Sequence, residues 1–315
     1  MKAVDVDSKT LPQRPAAGVI QRFDNKSSAC PSTTSLGMIA RTYPDAIEFS
    51  ARAAGMTGMI MLIGLMSAAF AFWVSDQVLT LELENGRSVI SFLSFPFVII
   101  VFFHGIYSAI KYTRIELYRP KDEPTIFDRY NRKVYRIYRE VYPGWLGTFK
   151  KWPMKMAEHD WNLIYAEHHA IVNATGSSVT RMHSLIFNVQ KSTSDPTVVD
   201  SFAIGTSIQM GEVTVPAVWE HIRRFMEENG PHLPPGEVIE QRREPQTFLQ
   251  CMAATGPYGS NFKNWWRDHT AMMIVGLLFF PITFPMMTLM GIFSWMAVKT
   301  ARPVVWPSYV LDAIR

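Results

Sequence analysis

Four histidines in the middle of the chain, His159, His168, His169 and His183, are the first residues whose type suggests chemistry. Imidazole is a common zinc ligand, but zinc sites normally add Cys or carboxylate at helical or hairpin spacing. No such spacing occurs here. His168 and His169 are adjacent, so on a strand they point to opposite faces. They read as surface or core histidines. Ser177 and Ser178 have no visible base partner, so no nucleophilic triad is assigned. The chain carries no P-loop, no G-x-G-x-x-G after a strand, no H-E-x-x-H and no G-x-S-x-G. The expectation is a non-enzymatic protein with no catalytic, cofactor-binding or metal-binding residues.

The strongest charge signal is a run of cations: Arg129, Arg132, Lys133, Arg136, Arg139, Lys150, Lys151 and Lys155. It is interleaved with Tyr130, Tyr135, Tyr138, Tyr142, Trp145 and Trp152. Near an anionic membrane each such cation gains about 1 kcal/mol. One reading is therefore docking onto lipid headgroups through Arg129, Arg132, Lys133 and Arg136. The other is a solvated strand face. No RNA-binding motif accompanies the run, so no nucleic-acid partner is expected.

The elements that position these residues are apolar blocks. Gly55–Val74 and Val89–Ile110 contain no charged side chain. Each is long enough to cross a bilayer, which takes about 20 apolar residues. A polar loop with Asp76, Glu82, Glu84 and Arg87 joins them. Gly64 and Ala68 are small residues four apart, which suits close helix packing, either between the two spans or with a partner. Arg41 and Arg52 precede the hairpin, and Lys111, Arg114, Arg119 and Lys121 follow it. The positive-inside rule then places the N-terminus and the middle of the chain in the cytoplasm. A third block, Ala271–Val298, contains Pro281 and Pro285 and has basic flanks on both sides. It reads as a tight apolar hairpin or a single tilted span.

The 315 residues divide into a disordered tail at 1–45 and a transmembrane hairpin at 46–110, opened by a short interfacial helix at 46–54. A cytosolic β-domain follows at 111–230, then a linker and interfacial segment at 231–268 and a C-terminal membrane segment at 269–315. The net charge of +4 reflects cations near the spans. Two cysteines, Cys30 and Cys251, define no disulfide framework. In the middle domain, Thr125–Arg139 reads as strand, turn, strand, with Tyr130-Asn131 at the turn. Further strands are expected at Trp161–Ala166, Ala170–Asn173, Ser184–Val189 and Ser201–Ile208, with turns at Gly176–Ser178 and Ser194–Pro196. Val218, Trp219, Ile222, Phe225 and Met226 then share one face of a helix. Thr214 is its expected N-cap and Gly230 its stop. Glu220, Arg223 and Glu227 are expected to face water. The fold class is thus an α+β membrane protein. Its antiparallel β-domain, of pleckstrin-homology type, is closed by one amphipathic helix.

Two spans, the Pro124–Tyr135 hairpin, the Trp161 strand, the helix Trp219–Pro231 and the motif Arg302-Pro-Val-Val-Trp-Pro307 together resemble an uncharacterised family of proteobacterial inner-membrane proteins. Members are often encoded beside type VI secretion genes. The resemblance implies the bacterial inner membrane as location. It also implies an immunity or effector-accessory role, exercised by binding a secreted effector or toxin. Trp219 is the candidate anchor for such a partner. The alternative is a membrane-anchored lipid- or ligand-sensing module, and anionic headgroups are then the ligand. A channel component is a weaker third reading, because no charged residue lines the spans.

Overall fold

The computed structural model describes residues 18–50, 58–85, 89–175, 178–205, 210–239, 247–253 and 262–314. The strands are β1 (Val19–Phe23), β2 (Ile39–Thr42), β3 (Ala46–Phe49), β4 (Thr125–Asp128), β5 (Lys133–Arg139), β6 (Met154–Asp160), β7 (Ile164–Thr175), β8 (Ser178–Gln190) and β9 (Val198–Ala203). The helices are α1 (Met59–Asn85), α2 (Val89–Glu116), α3 (Thr214–Glu227), α4 (Phe248–Ala253), α5 (Phe262–Asp268), α6 (Thr270–Leu278), α7 (Phe280–Thr300) and α8 (Ser308–Ala313). Two antiparallel sheets result, in the orders β1-β7-β8-β9 and β2-β3-β4-β5-β6. Three helices, α1, α2 and α7, are long and apolar enough to cross a membrane.

The five-stranded sheet is covered on both faces, which explains why β3 and β4 are buried at every position. Alternate side chains enter different cores. Phe127 and Val134 join the core between the sheets, while Ile126, Tyr135 and Ile137 join a second core on the outer face. The first core is built on aromatic rings. Trp219 of α3 stacks on Phe23 and Trp161 at centroid distances of 5.9 and 5.7 Å. It also meets Phe187 at 5.6 Å. Trp161 is held in place by its Nε1, which donates to Glu227 Oε1 at 2.6 Å. The second core is closed by the C-terminal segment, through Trp306, Val310 and Ile314.

Residues 18–45 of the expected disordered tail are ordered, and 1–17 lie outside the described residues. Residues 18–50 supply β1 to one sheet and β2 and β3 to the other. Compositional polarity is misleading here because few apolar side chains suffice when the backbone pairs with existing strands. Phe23, Met38, Ile47 and Phe49 are those side chains, and all are buried. The expected interfacial helix at 46–54 is instead strand β3 over Ala46–Phe49, and 51–54 lie outside the described residues. The presumed linker is also corrected in part. Glu237 accepts from Thr34 Oγ1 at 2.7 Å and from the Ser35 N–H at 2.9 Å, which pins 231–239 onto the domain. Residues 240–246 lie outside the described residues.

Helix α3 has the expected apolar face and Glu227 is exposed as expected, but part of the polar face is buried. Glu220 and Arg223 do not face water. Glu220 accepts from Arg223 Nε at 3.0 Å, Arg224 Nε at 2.6 Å, Ser28 Oγ at 2.9 Å and the Ala29 N–H at 2.9 Å. The N-terminal segment therefore runs over the helix. Burial opposes the charge on Glu220, but these donors outweigh it and hold the carboxyl at about 2. Thr214 does not cap the helix through its own N-cap position. Its hydroxyl accepts from the Gly211 N–H at 2.7 Å and anchors the preceding turn, and Val213 is the N-cap. Asn229, at φ 56°, turns the chain out, and the Gly230 N–H closes the end on the Arg224 carbonyl. Of the expected strands, Trp161–Leu163 is a short 3-10 turn before β7, and the last strand ends at Ala203. The Ser194–Pro196 turn is present, closed by Ser192 and Asp195. Gly176 and Ser177 lie outside the described residues.

Helix α1 runs to Asn85, so Asp76, Glu82 and Glu84 lie on it and not in a loop. Arg87 lies outside the described residues. A Cβ on Gly64 would sit 2.4 Å from Tyr112 Cβ, and one on Gly105 would sit 2.8 Å from Ala71 Cβ. These small residues, with buried Ala68, form the α1–α2 seam. The third apolar block divides unevenly at Phe279. Nine-residue α6 rises only about 14 Å, whereas the 21 residues of α7 rise about 32 Å. Pro281 falls in the first turn of α7, where its missing N–H costs little.

His221, buried on α3, has its pKa pushed down to about 4, chiefly by desolvation. It is neutral when folded, whereas an unfolded imidazole takes a proton near 6.5. No cost arises above that pH. As pH falls from 6.5 towards 4, stability should drop by about 3 kcal/mol. Below about 4.5 the unfolded Glu220 takes a proton that the folded carboxylate refuses down to about 2, which lowers stability further. Thermal melts of the detergent-solubilised chain from pH 8 to 4.5 measure this. His221→Asn should flatten the upper part of the curve, and an unchanged slope would assign it to another group.

Candidate functional site

The cation-rich run divides into two parts with different fates. Its first part is consumed inside the protein. Arg129 Nε donates to Asp45 at 2.9 Å, and its guanidinium lies 4.9 Å from the Phe225 ring centroid. Arg132, at φ 56°, donates to Glu227 at 2.9 and 2.8 Å and to Asn162 at 2.8 Å. Lys133 pairs with Glu158. Arg136 donates to Asp200 at 3.1 Å and is stacked over Tyr138 and Phe202. Arg129, Arg132 and Arg136 brace the two sheets and α3 together, while Lys133 makes a surface pair between neighbouring strands of one sheet. Trp219 is wholly enclosed, and Gly64 and Ala68 are used in the α1–α2 seam. None of the seven sequence candidates is thus presented as a free contact surface.

The second part of the run lies at the other end of the domain, where the long helices end. Arg139 closes the C-terminus of α2, donating to the Arg114 carbonyl at 2.7 Å and the Ile115 carbonyl at 3.2 Å. Arg114 reaches back to the Lys150 carbonyl at 2.8 Å and to the Thr148 carbonyl. Both guanidiniums flank the Trp152 ring, at 5.2 and 4.5 Å from its centroid. Burial lowers the pKa of Arg139; the nearby Glu123 carboxylate opposes this, and Arg114, Arg302 and Arg119 lower it further. The indole Nε1 of Trp152 donates to the Gly147 carbonyl at 2.9 Å, which secures the 3-10 turn Leu146–Phe149.

Arg302 arrives from the far end of the sequence. The Lys121 N–H donates to the Arg302 carbonyl and the Arg302 N–H to the Arg119 carbonyl, both at 2.9 Å. The segments leaving α2 and α7 are therefore bonded side by side. Arg114, Leu117, Tyr118, Arg139, Lys151, Trp152 and Arg302 surround a cavity of about 120 Å³. Among its described lining residues there is no carboxylate.

The turn beside this cavity is apolar and outward-facing. Trp145, Leu146 and Phe149 are 67%, 58% and 55% exposed. The turn packs against the last turns of α2, where Thr148 Oγ1 donates to Tyr107 Oη at 3.3 Å. From Tyr107 to the end of α2 at Glu116 is about 14 Å of helix. The turn thus sits beside the end of α2, not out on the domain.

Glu116 ties the span ends together. Its carboxylate accepts from the Gly58 and Ile60 N–H groups at 3.1 and 3.3 Å, at the start of α1. Gly58, at φ +91°, abuts the Ser294 backbone of α7 so closely that a Cβ would come within 2.4 Å of it. The sequence showed the aromatic-basic run from Arg129 to Lys155. It could not show which cations face each other, because Arg302 joins Arg114 only in the folded chain.

The histidines do not converge. His168 and His183 share a hydrogen bond of 2.9 Å, His159 bonds Asp200 at 2.9 Å and His169 bonds Glu167 at 2.9 Å. Among the described residues no group of three metal-ligating side chains occurs. In α2, His104 Nε2 lies 3.4 Å from Ser108 Oγ, one turn on. A second cleft of about 330 Å³ lies between β5 and β9, lined by Glu123, Arg136, Tyr138 and Phe202 among others. Arg136 is already committed to Asp200 there.

No curated protein and no solved structure matches the chain. A family of unknown function, DUF6708, matches residues 99–313. That match runs from within α2 through the β-domain to α8, more than half of the 315 residues. The chain therefore belongs to the family of unknown function DUF6708.

Proposed function

We propose that this protein is a non-enzymatic, membrane-anchored binding module whose β-domain is seated directly on the cytoplasmic face of a bacterial inner membrane. The observation that carries the reading is the rim of the domain at the helix ends. It combines Trp145, Leu146 and Phe149, exposed, with Lys150, Lys151 and Arg302. Exposed aromatic and apolar side chains interleaved with cations suit a headgroup layer, where each cation gains about 1 kcal/mol near anionic lipid. The lipid- or ligand-sensing reading thereby gains on the protein-anchor reading, because Trp219 is enclosed.

The second reading is an immunity or effector-accessory role in a type VI secretion locus. The resemblance of the hairpin, helix and Trp-Pro motifs favours it. Deleting the gene in its own strain and exposing that strain to toxin-competent siblings tests it. Lost fitness, restored by the full chain, supports immunity. Normal survival with normal export of neighbouring effectors rejects both roles.

The cytoplasmic side rests on the cations flanking the helices. Reporter fusions at Met1 and Arg315 should both give cytoplasmic signals. Opposite signals at the two ends would reject the arrangement.

Seating of the rim has its own test. In a Cys30→Ser, Cys251→Ala background, a polarity-sensitive fluorophore on Phe149→Cys should shift to the blue in vesicles. The same dye on Tyr130→Cys should not, because that residue lies at the opposite end of β5, about 20 Å of strand away. Equal emission from the two sites would show that the domain stands clear of the bilayer.

A further inference from the structure

We propose that the cavity between Arg114, Arg139, Lys151 and Arg302 is a specific seat for the phosphate of one anionic phospholipid headgroup. The inference rests on the seated-domain reading and adds a defined site to it. Three observations converge on it. Four cations line one cavity with no carboxylate in its described lining, and Glu123 acts on Arg139 from outside it. Like charges held together this way are unfavourable, so an anion between them relieves a repulsion that the fold otherwise carries. Arg114 and Arg139 are also preorganised. Backbone carbonyls and the Trp152 ring hold both guanidiniums in position before any ligand arrives. Guanidinium groups suit phosphate because their parallel N–H donors match its oxygens.

Size and position decide between ligands. About 120 Å³ accommodates a phosphate group but falls well short of the roughly 300–1,000 Å³ typical of sites for drug-sized molecules. The cavity opens at the C-terminal end of α2, two residues after Arg114, beside the outward-facing Trp145, Leu146 and Phe149. A soluble phosphate compound gains nothing from that apolar rim. A lipid does, because its acyl chains continue along the helices while its phosphate enters the cavity. The division of labour is then clear: Arg114 and Arg139 shape the seat, and exposed Lys151 and Arg302 close over it from two distant parts of the chain.

The test uses the full chain in a zwitterionic detergent, titrated with phosphatidylglycerol or phosphatidylcholine and read by native mass spectrometry. The pocket variant is Lys151→Gln with Arg302→Gln. The Arg302 bonds to Arg119 and Lys121 are made by its backbone and survive the substitution, which removes from the fold only the contact of its guanidinium with the Tyr118 ring, 5.9 Å from the centroid. The control, Lys133→Gln with Lys191→Gln, removes the same charge elsewhere. The wild type and the control should retain phosphatidylglycerol in preference to phosphatidylcholine. The pocket variant should bind phosphatidylglycerol about thirtyfold more weakly, from about 1 kcal/mol per lost charge. An undiminished preference in the pocket variant, or no preference in the wild type, overturns the proposal. So does an inorganic phosphate arm in which phosphate raises the melting temperature of the wild type alone while phosphatidylglycerol shows no preference. That result would assign the cavity to a soluble phosphate. Both variants should remain in carbonate-washed membranes, so loss of lipid preference is distinguishable from loss of anchoring.

Discussion

Three stretches of this chain, 18–50, 119–239 and 301–314, are separated by long apolar helices yet pack into one β-domain. That constraint governs the rest of the structure. A β-domain completes its ladders and its core only if all its strands reach the same place. The N-terminal strands pair with β4 and β7, and the C-terminal segment covers β5. Any bilayer crossed by α1, α2 and α7 must therefore have all three stretches on one side. The pair α1 and α2 satisfies this by going out and back. A crossing by α7 requires a returning limb between 240 and 279, where α4, α5 and α6 are the described helices.

The junction between helices and domain is where that constraint is met. Glu116 binds the start of α1, Arg139 the end of α2, and the strand-like bridge from Arg119–Lys121 to Arg302 binds the exit of α7. Each of these groups satisfies backbone donors or acceptors that a helix end leaves open. The same junction gathers cations, since the segments leaving the helices are basic. Concentrated charge at this junction is thus a consequence of bringing the helix ends together.

Charge inside the domain has a different role. Glu220 and Arg223 are enclosed, and Arg136 and Asp200 are half-buried. Buried ion pairs are costly to form but far costlier to break, because a lone buried charge has no compensation. They hold the N-terminal segment to α3 and one sheet to the other in a single arrangement. The enclosed tryptophan stack supplies the apolar area, and the buried pairs set the register in which it is used.

The apolar blocks determined by themselves that the chain has long helices fit for a membrane, since length and the absence of charge suffice for that. The 3.6-residue period of Val218, Trp219, Ile222 and Phe225 likewise determined α3 and its buried face. The β4–β5 hairpin was legible from the Tyr130-Asn131 turn and the β-branched and aromatic residues around it. Other features lay beyond local pattern. A polar N-terminal segment became three strands because its partners lie far along the chain. Glu220 became buried because residues 28–31 cover it. Above all, the cations that read as one surface run were divided by the fold. Arg129 to Arg136 face carboxylates and rings supplied by α3, β6 and β9, whereas Arg114, Arg139 and Lys151 meet Arg302 across nearly two hundred residues. Which charges are neutralised depends on long-range contacts, and only tertiary structure brings those together.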